Sequence, residues 1–485
     1  MKNCINPIHH WLRPVRIAYI PGRSTIMLEL WANELLEEMQ SMGHGVQSSP
    51  DDETEVILAT ANFGEPQPWR DALLFMARRR YSLKQSPVVY TLMQIGKAQF
   101  QHMLESLDAV LSKDSVSPTG LVFDGLAQDA WKVLEEQGRR GGPLLALQRI
   151  LQAQAKSIRI ILFVGDGDTP EFAYHFDLVG AYPRSVAGND FYRDIALRIA
   201  TAVCAEDVPA IPASDESISA DIWDELYAPN AMEEASRQFG QRGFFSDMIR
   251  ISNLIGLPSL SDAVANQYSE GCFGTWDTEL GALVVTAAGS SQPVNKSQIT
   301  KEHLAVVKAK GMEMMGLQIG GRPYRVPSSE SYEMTMMDRL LPCIEVAVGE
   351  NVPIVRSKLH GHRGISAYCA DRVEYVAMDA PYFCYPVSCS TLPQAQGIVE
   401  AFSRSQALNN PDDQRQIVFT ILPGHGVFIV EKWCDGKVPF QMIWECMDAG
   451  YMEISNAIPQ EKMEYVHALD GKMRLQNLHR SIETK

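Results

Sequence analysis

The chain has 485 residues, of which 46% are hydrophobic and 21% charged, and a formal net charge of −16. That length exceeds what one core ordinarily supports, so two or more domains are expected, and the composition is that of an ordinary globular protein. The negative charge repels nucleic-acid backbones and anionic headgroups, which argues against nucleic acid or a membrane as the main partner. Nine cysteines, an odd number without a Cys-x-x-Cys pair, make no disulfide framework in a chain of this size, so a reducing, cytoplasmic setting is expected. The first 16 residues lack an apolar targeting core and no apolar run reaches membrane-spanning length.

Residues 15–20 read as a short strand broken by Pro21-Gly22, after which Ser24 can cap a helix carrying Ile26, Leu30, Leu35 and Met39 and ending at Gly43. The pattern recurs: 56–60 with a helix near 69–79, 88–93 with a helix near 99–111, and 158–164 with a loop. Such alternation predicts an α/β domain over 14–205, a doubly wound parallel sheet with helices on both faces. Two loops stand where its strands would end, Pro21-Gly22-Arg23-Ser24 and Gly165-Asp166-Gly167-Asp168. Neither is a phosphate motif, and the paired aspartates would repel one, so both read as turns. Arg78-Arg79-Arg80 and Arg139-Arg140 read as solvated helix ends. Residues 206–235 are acidic and proline-bearing and read as a linker, which leaves 236–485 as a second domain.

In that second domain 244–255 and 261–267 read as helices, followed by a glycine-punctuated loop over 268–277. An apolar strand at 281–289 runs into a small-residue turn at Gly289, and Pro327-Ser328-Ser329-Glu330 opens a helix through Leu341. Serines ahead of a glutamate can simply be helix capping. Farther on, Leu359-His360-Gly361-His362 in an extended segment puts both imidazoles on one face. Two apolar runs, 416–422 and 427–433, flank Pro423-Gly424-His425, a hairpin with a histidine at its tip. Three histidines are the usual protein share of an open catalytic zinc site, although a lone His-x-His is also common strand surface.

The ordered set of small-residue turn, Pro-Ser-Ser-Glu helix start, His-x-His strand and His-Gly turn resembles the class II aldolase and adducin family over residues 244–458. The resemblance implies an α/β/α domain with a mainly antiparallel sheet and a homo-oligomer. It implies Zn2+, or another divalent metal such as Mn2+, on His360, His362 and His425, with Glu330 as the catalytic carboxylate. Ser328, Ser329 and Gly289 would hold the substrate, and a tyrosine, Tyr385 or its neighbours Tyr375 and Tyr382, would act as acid. Where relatives carry a Gly-Asn-aliphatic-Ser anion loop, this chain has Gly274-Thr275-Trp276-Asp277. The span from Glu330 to His360 also calls for an insertion near 347–352.

A metal on three neutral imidazoles keeps its charge and can stabilise an enediolate of a sugar-like or keto-acid substrate, with Glu330 as the base. Lys358, two residues before His360 and hence on its face, is a candidate for orienting an acidic substrate group. Arg356 reads as a solvated charge, and Cys384 and Cys389 as buried thiols. The expected activity is therefore that of a metal-dependent aldolase or epimerase. Two other readings stay open: a fucose-isomerase-type enzyme with its metal on carboxylates such as Glu270 and Asp277 together with a histidine, and a non-catalytic adducin-like binding protein.

Overall fold

The computed structural model describes residues 12–63, 87–111, 147, 151, 159–176, 181–245, 271–288, 296–311, 313–361, 364–367, 371–378, 390–422, 426–434 and 436–455. In the first part of the chain, β1 (Arg16–Ile20), β2 (Gly45–Gln47), β3 (Val56–Thr60), β4 (Val88–Ile95) and β5 (Arg159–Val164) lie parallel in the order β2-β1-β3-β4-β5. β6 (Phe172–Phe176) and β7 (Ala181–Val186) then continue the sheet antiparallel. The expectation of a parallel sheet is corrected at that edge. The loop after β5, built on Gly165 to Pro170, is too short for a crossover, and so it returns the chain as an antiparallel neighbour.

Strands β3 and β5 are buried along their whole length and read as apolar runs, as a sheet covered on both faces requires. Helices α1 (Ile26–Ser41) and α3 (Phe191–Cys204) share one face with Leu58, Tyr90 and Phe163. Phe100 of α2 (Lys97–Leu111) meets Phe172 and Tyr174, whose strand neighbour Ala173 belongs to the α1 side, so α2 covers the other face. The face of α1 differs from the predicted one. Leu28, Trp31, Leu35 and Met39 are buried while Ile26 and Leu30 are exposed, and Thr25 rather than Ser24 caps the helix by accepting Leu28 N–H. The bulky Trp31 decides which stripe turns inward. The helix expected near 69–79 lies outside the described residues.

The stretch read as a linker is folded. Residues Glu206 to Val208 are hydrogen-bonded to Ser390 and Leu392, and the chain then forms β8 (Ala213–Ile218), α4 (Ala220–Glu225) and α5 (Tyr227–Gln241). Its acidic residues face water, whereas Trp223, Leu226, Met232 and Phe239 enter the core, a 3.6-residue pattern that the charges and prolines obscure.

The second sheet adds β9 (Cys272–Asp277), β10 (Ala282–Thr286), β11 (Leu304–Lys310), β12 (Glu313–Ile319), β15 (Val355–Gly361), β17 (Val373–Tyr375), β18 (Ile417–Leu422) and β19 (Gly426–Lys432), in the order β17-β18-β19-β15-β9-β10-β11-β12-β8. All neighbours are antiparallel except the edge pairs β17/β18 and β12/β8. Between them, β13 (Cys343–Ala347) and β14 (Glu350–Pro353) make a separate hairpin in the stretch read as an insertion, and β16 (Gly364–Ala367) pairs with β20 (Met452–Ser455). One face carries α5 and α8 (Gln441–Asp448), through Phe239, Ile443 and Trp444. The other carries α6 (Ser331–Leu340) and α7 (Leu392–Ser403), through Met334, Met337, Ile398 and Phe402. Among the described residues no helix is long and apolar enough to cross a membrane.

Candidate functional site

β15 sits inside the second sheet between β9 and β19, and its alternation sends Leu359 into the α5 side while Lys358 and His360 point to the α6 side. His360 lies opposite Cys272 of β9 and Phe428 of β19, stacks on the Phe428 ring at 5.8 Å between centroids, and is 1% exposed. Its Nδ1 is 2.9 Å from the carbonyl oxygen of Val427. A carbonyl can only accept, so Nδ1 carries the proton and, in the neutral ring, Nε2 carries the lone pair. Nε2 lies 3.5 Å from Glu330 Oε1.

Glu330 arrives there through the strap that precedes α6. Ala287, just past β10, bridges Pro327, and Ser328 N–H donates to Thr286 O at 3.1 Å, so the Pro-Ser-Ser-Glu run is sewn to the end of the sheet. Capping does not explain these serines: Glu330 itself holds the N-cap position without a side-chain cap bond. Ser328 Oγ instead donates to Glu330 Oε2 at 3.1 Å, and Ser329 Oγ lies 2.6 Å from the hydroxyl of Ser390. Ser390 sits at φ 64°, in the left-handed region that non-glycine residues rarely adopt.

Four groups the sequence reading passed over complete the cluster: Cys272, Lys296, Glu333 and Asp338. Lys296 is 3% exposed, and its ammonium donates to Ala287 O at 3.3 Å and feels the Cys272 thiol and the Glu330 carboxylate. Glu333, one turn along from Glu330, is 1% exposed, and its Oε2 has no hydrogen-bond partner among the described residues. Burial, and then Glu330, push its carboxyl well above the ordinary range. Burial likewise drives the Cys272 thiol well up. The signal that could have found three of them is polar residues at positions the apolar period assigns to the interior: Cys272 opens an inward strand, and Glu333 and Asp338 share the buried stripe of Met334 and Met337.

Lys358 is on His360's face as expected, but its ammonium is fully buried and lies 2.5 Å from Asp338 Oδ1 of α6. Burial lowers the lysine and pushes the aspartate up to about 6, each opposed by the partner's charge. In the fold the lysine joins β15 to α6 through that pair. Arg356 is not a solvated charge, since its guanidinium lies 4.5 Å over the Trp433 ring and donates to Lys437 O at 2.7 Å. Gly274 to Asp277, read as part of a loop, is strand β9 paired on both sides. Tyr375 packs on Phe419 on the α5 face, the face opposite His360.

His362, His425, Gly289, Tyr382, Tyr385, Glu270, Cys384 and Cys389 lie outside the described residues. The strand ends next to two of them are described: Gly361, which precedes His362, pairs with Val427, and Gly426, which follows His425, pairs with Leu422. Among the described residues no group of three or more His, Cys, Asp or Glu is placed to hold a metal ion.

On the opposite face of β15, Ser357 donates to Glu431 Oε2 at 2.6 Å, and Glu431 also accepts the N–H groups of Phe440 and Met442 at 2.5 and 2.8 Å. This seats the start of α8, and burial pushes Glu431 up to about 7. No family model, curated protein or solved structure matches the chain.

Proposed function

We propose that this chain is a divalent-metal-dependent enzyme of the class II aldolase kind, a lyase or epimerase acting on a sugar-like or keto-acid substrate, with an α/β/α site domain. The observation that carries the reading is the fixing of His360: Nδ1–H is bound to a backbone carbonyl while Nε2 faces the Glu330 carboxyl at 3.5 Å. An imidazole that ligates a metal is commonly held in this way, its far nitrogen donating to a carbonyl so that the near one presents its lone pair. His362 and His425 each stand one peptide bond from a residue paired near His360, Gly361 and Gly426 respectively. A set of three imidazoles with an open position suits zinc. Bound there, zinc or manganese would act as a Lewis acid on a substrate carbonyl or hydroxyl oxygen.

The chain's own part is proton transfer and positioning. Glu330 is the base, oriented by Ser328 and secluded from water at 8% exposure. Ser329 and Ser390 offer hydroxyls at the same end of the sheet for the polar end of a substrate. The isomerase reading, with a metal on Glu270 and Asp277, is disfavoured. Asp277 ends β9 five positions beyond Cys272, the residue opposite His360, and its Oδ1 accepts Leu280 N–H in the following turn. At about 3.4 Å per residue it stands roughly 17 Å along the strand.

The test is elemental analysis of the purified chain together with NMR detection of deuterium exchange from D2O into hydroxyacetone. About one zinc or manganese per chain and metal-dependent exchange are expected. A chain that retains no divalent ion, and gains no exchange when zinc or manganese is added, rejects the proposal.

A further inference from the structure

We propose that Lys296 is the anion-reading group of this site, and that the substrate carries a carboxylate beside its reacting carbon, as a 2-keto or 2-hydroxy acid does. The inference rests on the metal-dependent reading above and narrows its substrate class.

The lysine is held in place from behind. The short 3-10 turn Lys296–Gln298 is tied to α5, because Ser236 Oγ donates to Lys296 O at 2.6 Å and accepts Ile299 N–H at 2.9 Å. Gly240 of α5 lies so close that a Cβ there would meet Ser297 Cβ at 2.4 Å. The backbone is therefore fixed, and the side chain runs to the end of β10, where its ammonium meets Ala287 O at 3.3 Å beside Glu330 and Cys272. An ammonium has three donors, and among the described residues this one makes a single hydrogen bond while 3% exposed. Burying a cation whose one hydrogen bond goes to a neutral carbonyl is costly even with the Glu330 carboxylate beside it, and a site that tolerates the cost has a use for the remaining donors.

The choice of carboxylate over phosphate follows from the described residues that surround it. Phosphate sites gather several donors, usually a helix N-terminus, a turn of successive N–H groups or an arginine fork. Here the N-terminus of α6 carries Glu330 at its N-cap, whose charge repels a dianion, and Gly274 to Asp277 is a paired strand rather than an anion loop. The other buried lysine on this face is already matched by Asp338. One ammonium with two donors unengaged among the described residues suits a single carboxylate. A divalent ion held by His360 and the two histidines proposed with it would, together with Lys296 and Glu330, leave the site positive enough to accept it.

The experiment titrates the zinc-loaded full chain with pyruvate, hydroxyacetone and inorganic phosphate, by calorimetry or ligand-observed NMR. Pyruvate and hydroxyacetone differ chiefly in the carboxylate. Pyruvate is expected to bind at least about tenfold tighter than either of the others. Lys296→Met should weaken pyruvate by roughly 10- to 100-fold, with zinc content and hydroxyacetone affinity unchanged, and Lys296→Arg should keep most of the preference. Pyruvate affinity unmoved by Lys296→Met, or phosphate binding as tightly as pyruvate, overturns the inference. If Lys296→Met does not fold, Lys296→Gln replaces it and the wild-type ranking of the three probes decides. Zinc retained with no carboxylate preference rejects this inference alone. No zinc retained and no probe bound rejects the proposed function with it.

Discussion

Two carboxylate clusters stand at strand ends in this molecule, one half-buried and one buried, and they are built in opposite ways. In the first sheet the chain leaves β1 for β2 on one side and returns to β3 on the other, which makes the ends of β1 and β3 the place where such sheets bind ligands. Glu29, in the first turn of α1, occupies that place. Its oxygens accept Tyr19 OH at 2.5 Å, Thr60 Oγ1 at 2.9 Å and the Ser24 hydroxyl, and Thr60 also accepts Gly22 N–H at 2.9 Å. Among the described residues around the second sheet, Glu333 has an oxygen without a hydrogen bond and the Lys296 ammonium makes a single one. A satisfied network holds a fold together, whereas unpaired polar groups in an interior cost stability and mark where something else is meant to bind. The contrast marks the first cluster as satisfied by its own fold and the second as the one on which the proposed function draws.

The sharpest way to break that contrast is to remove the centre of the second cluster. His360→Ala should take retained metal from about one ion per chain to below about a tenth, read by elemental analysis, while the far-UV spectrum stays that of the folded chain. Glu330→Gln should keep the metal but slow proton exchange by roughly 10²- to 10⁴-fold, because it removes the base and leaves the ligands. Equal metal content in His360→Ala and the wild type would place any ion elsewhere.

A second test separates buried charge that is paired from buried charge that is not. Lys358→Ala strands Asp338 in the core and should cost about 3–5 kcal/mol in urea unfolding, whereas Lys358→Met combined with Asp338→Leu should come within about 1 kcal/mol of the wild type. If the single and double variants are equally destabilised, the pair is packing rather than electrostatics.

The pH dependence sharpens the same point. Burial pushes Glu431 up to about 7 from an ordinary value of 4.5 and Asp338 up to about 6 from 3.8. A raised carboxyl in the folded state holds protons that the unfolded chain has already released. Stability therefore falls as pH climbs from about 4 through 7, the reverse of a salt-bridged carboxylate with a lowered value. Glu431 contributes on the order of 2–3 kcal/mol to that fall. Glu431→Gln should flatten the slope between pH 5 and 7 in denaturation series taken at fixed ionic strength.

How much of this was legible follows from which forces act locally. The apolar runs of β3, β4 and β5 and the strand carrying His360 are visible because a strand buried on both faces must be apolar, and a polar residue within it stands out. The Glu330–His360 encounter was legible only through the ordered motifs, since nothing local in either segment requires the other. Lys296 was invisible because its place depends on Ser236 and Gly240 of α5, a helix that begins inside the stretch read as a linker and runs past its end. Lys358 was placed on the correct face by strand periodicity. Its partner Asp338 lies 20 residues back in sequence on a different element, and only packing brings the two together.

The smallest effect bears on the first cluster. Thr60 is fully buried, and Thr60→Val keeps its shape while removing the hydroxyl that accepts Gly22 N–H and donates to Glu29. Glu29 is only half-buried and keeps Tyr19 and Ser24, so water and the remaining hydroxyls recover part of the loss. The cost should be about 1 kcal/mol in the urea midpoint, with metal content and pyruvate affinity of the second sheet unchanged. If the cluster were a ligand site, Thr60→Val would shift the binding of some small molecule without shifting stability. The opposite pairing, a stability change with no binding change, is what a carboxylate already satisfied by its own fold requires.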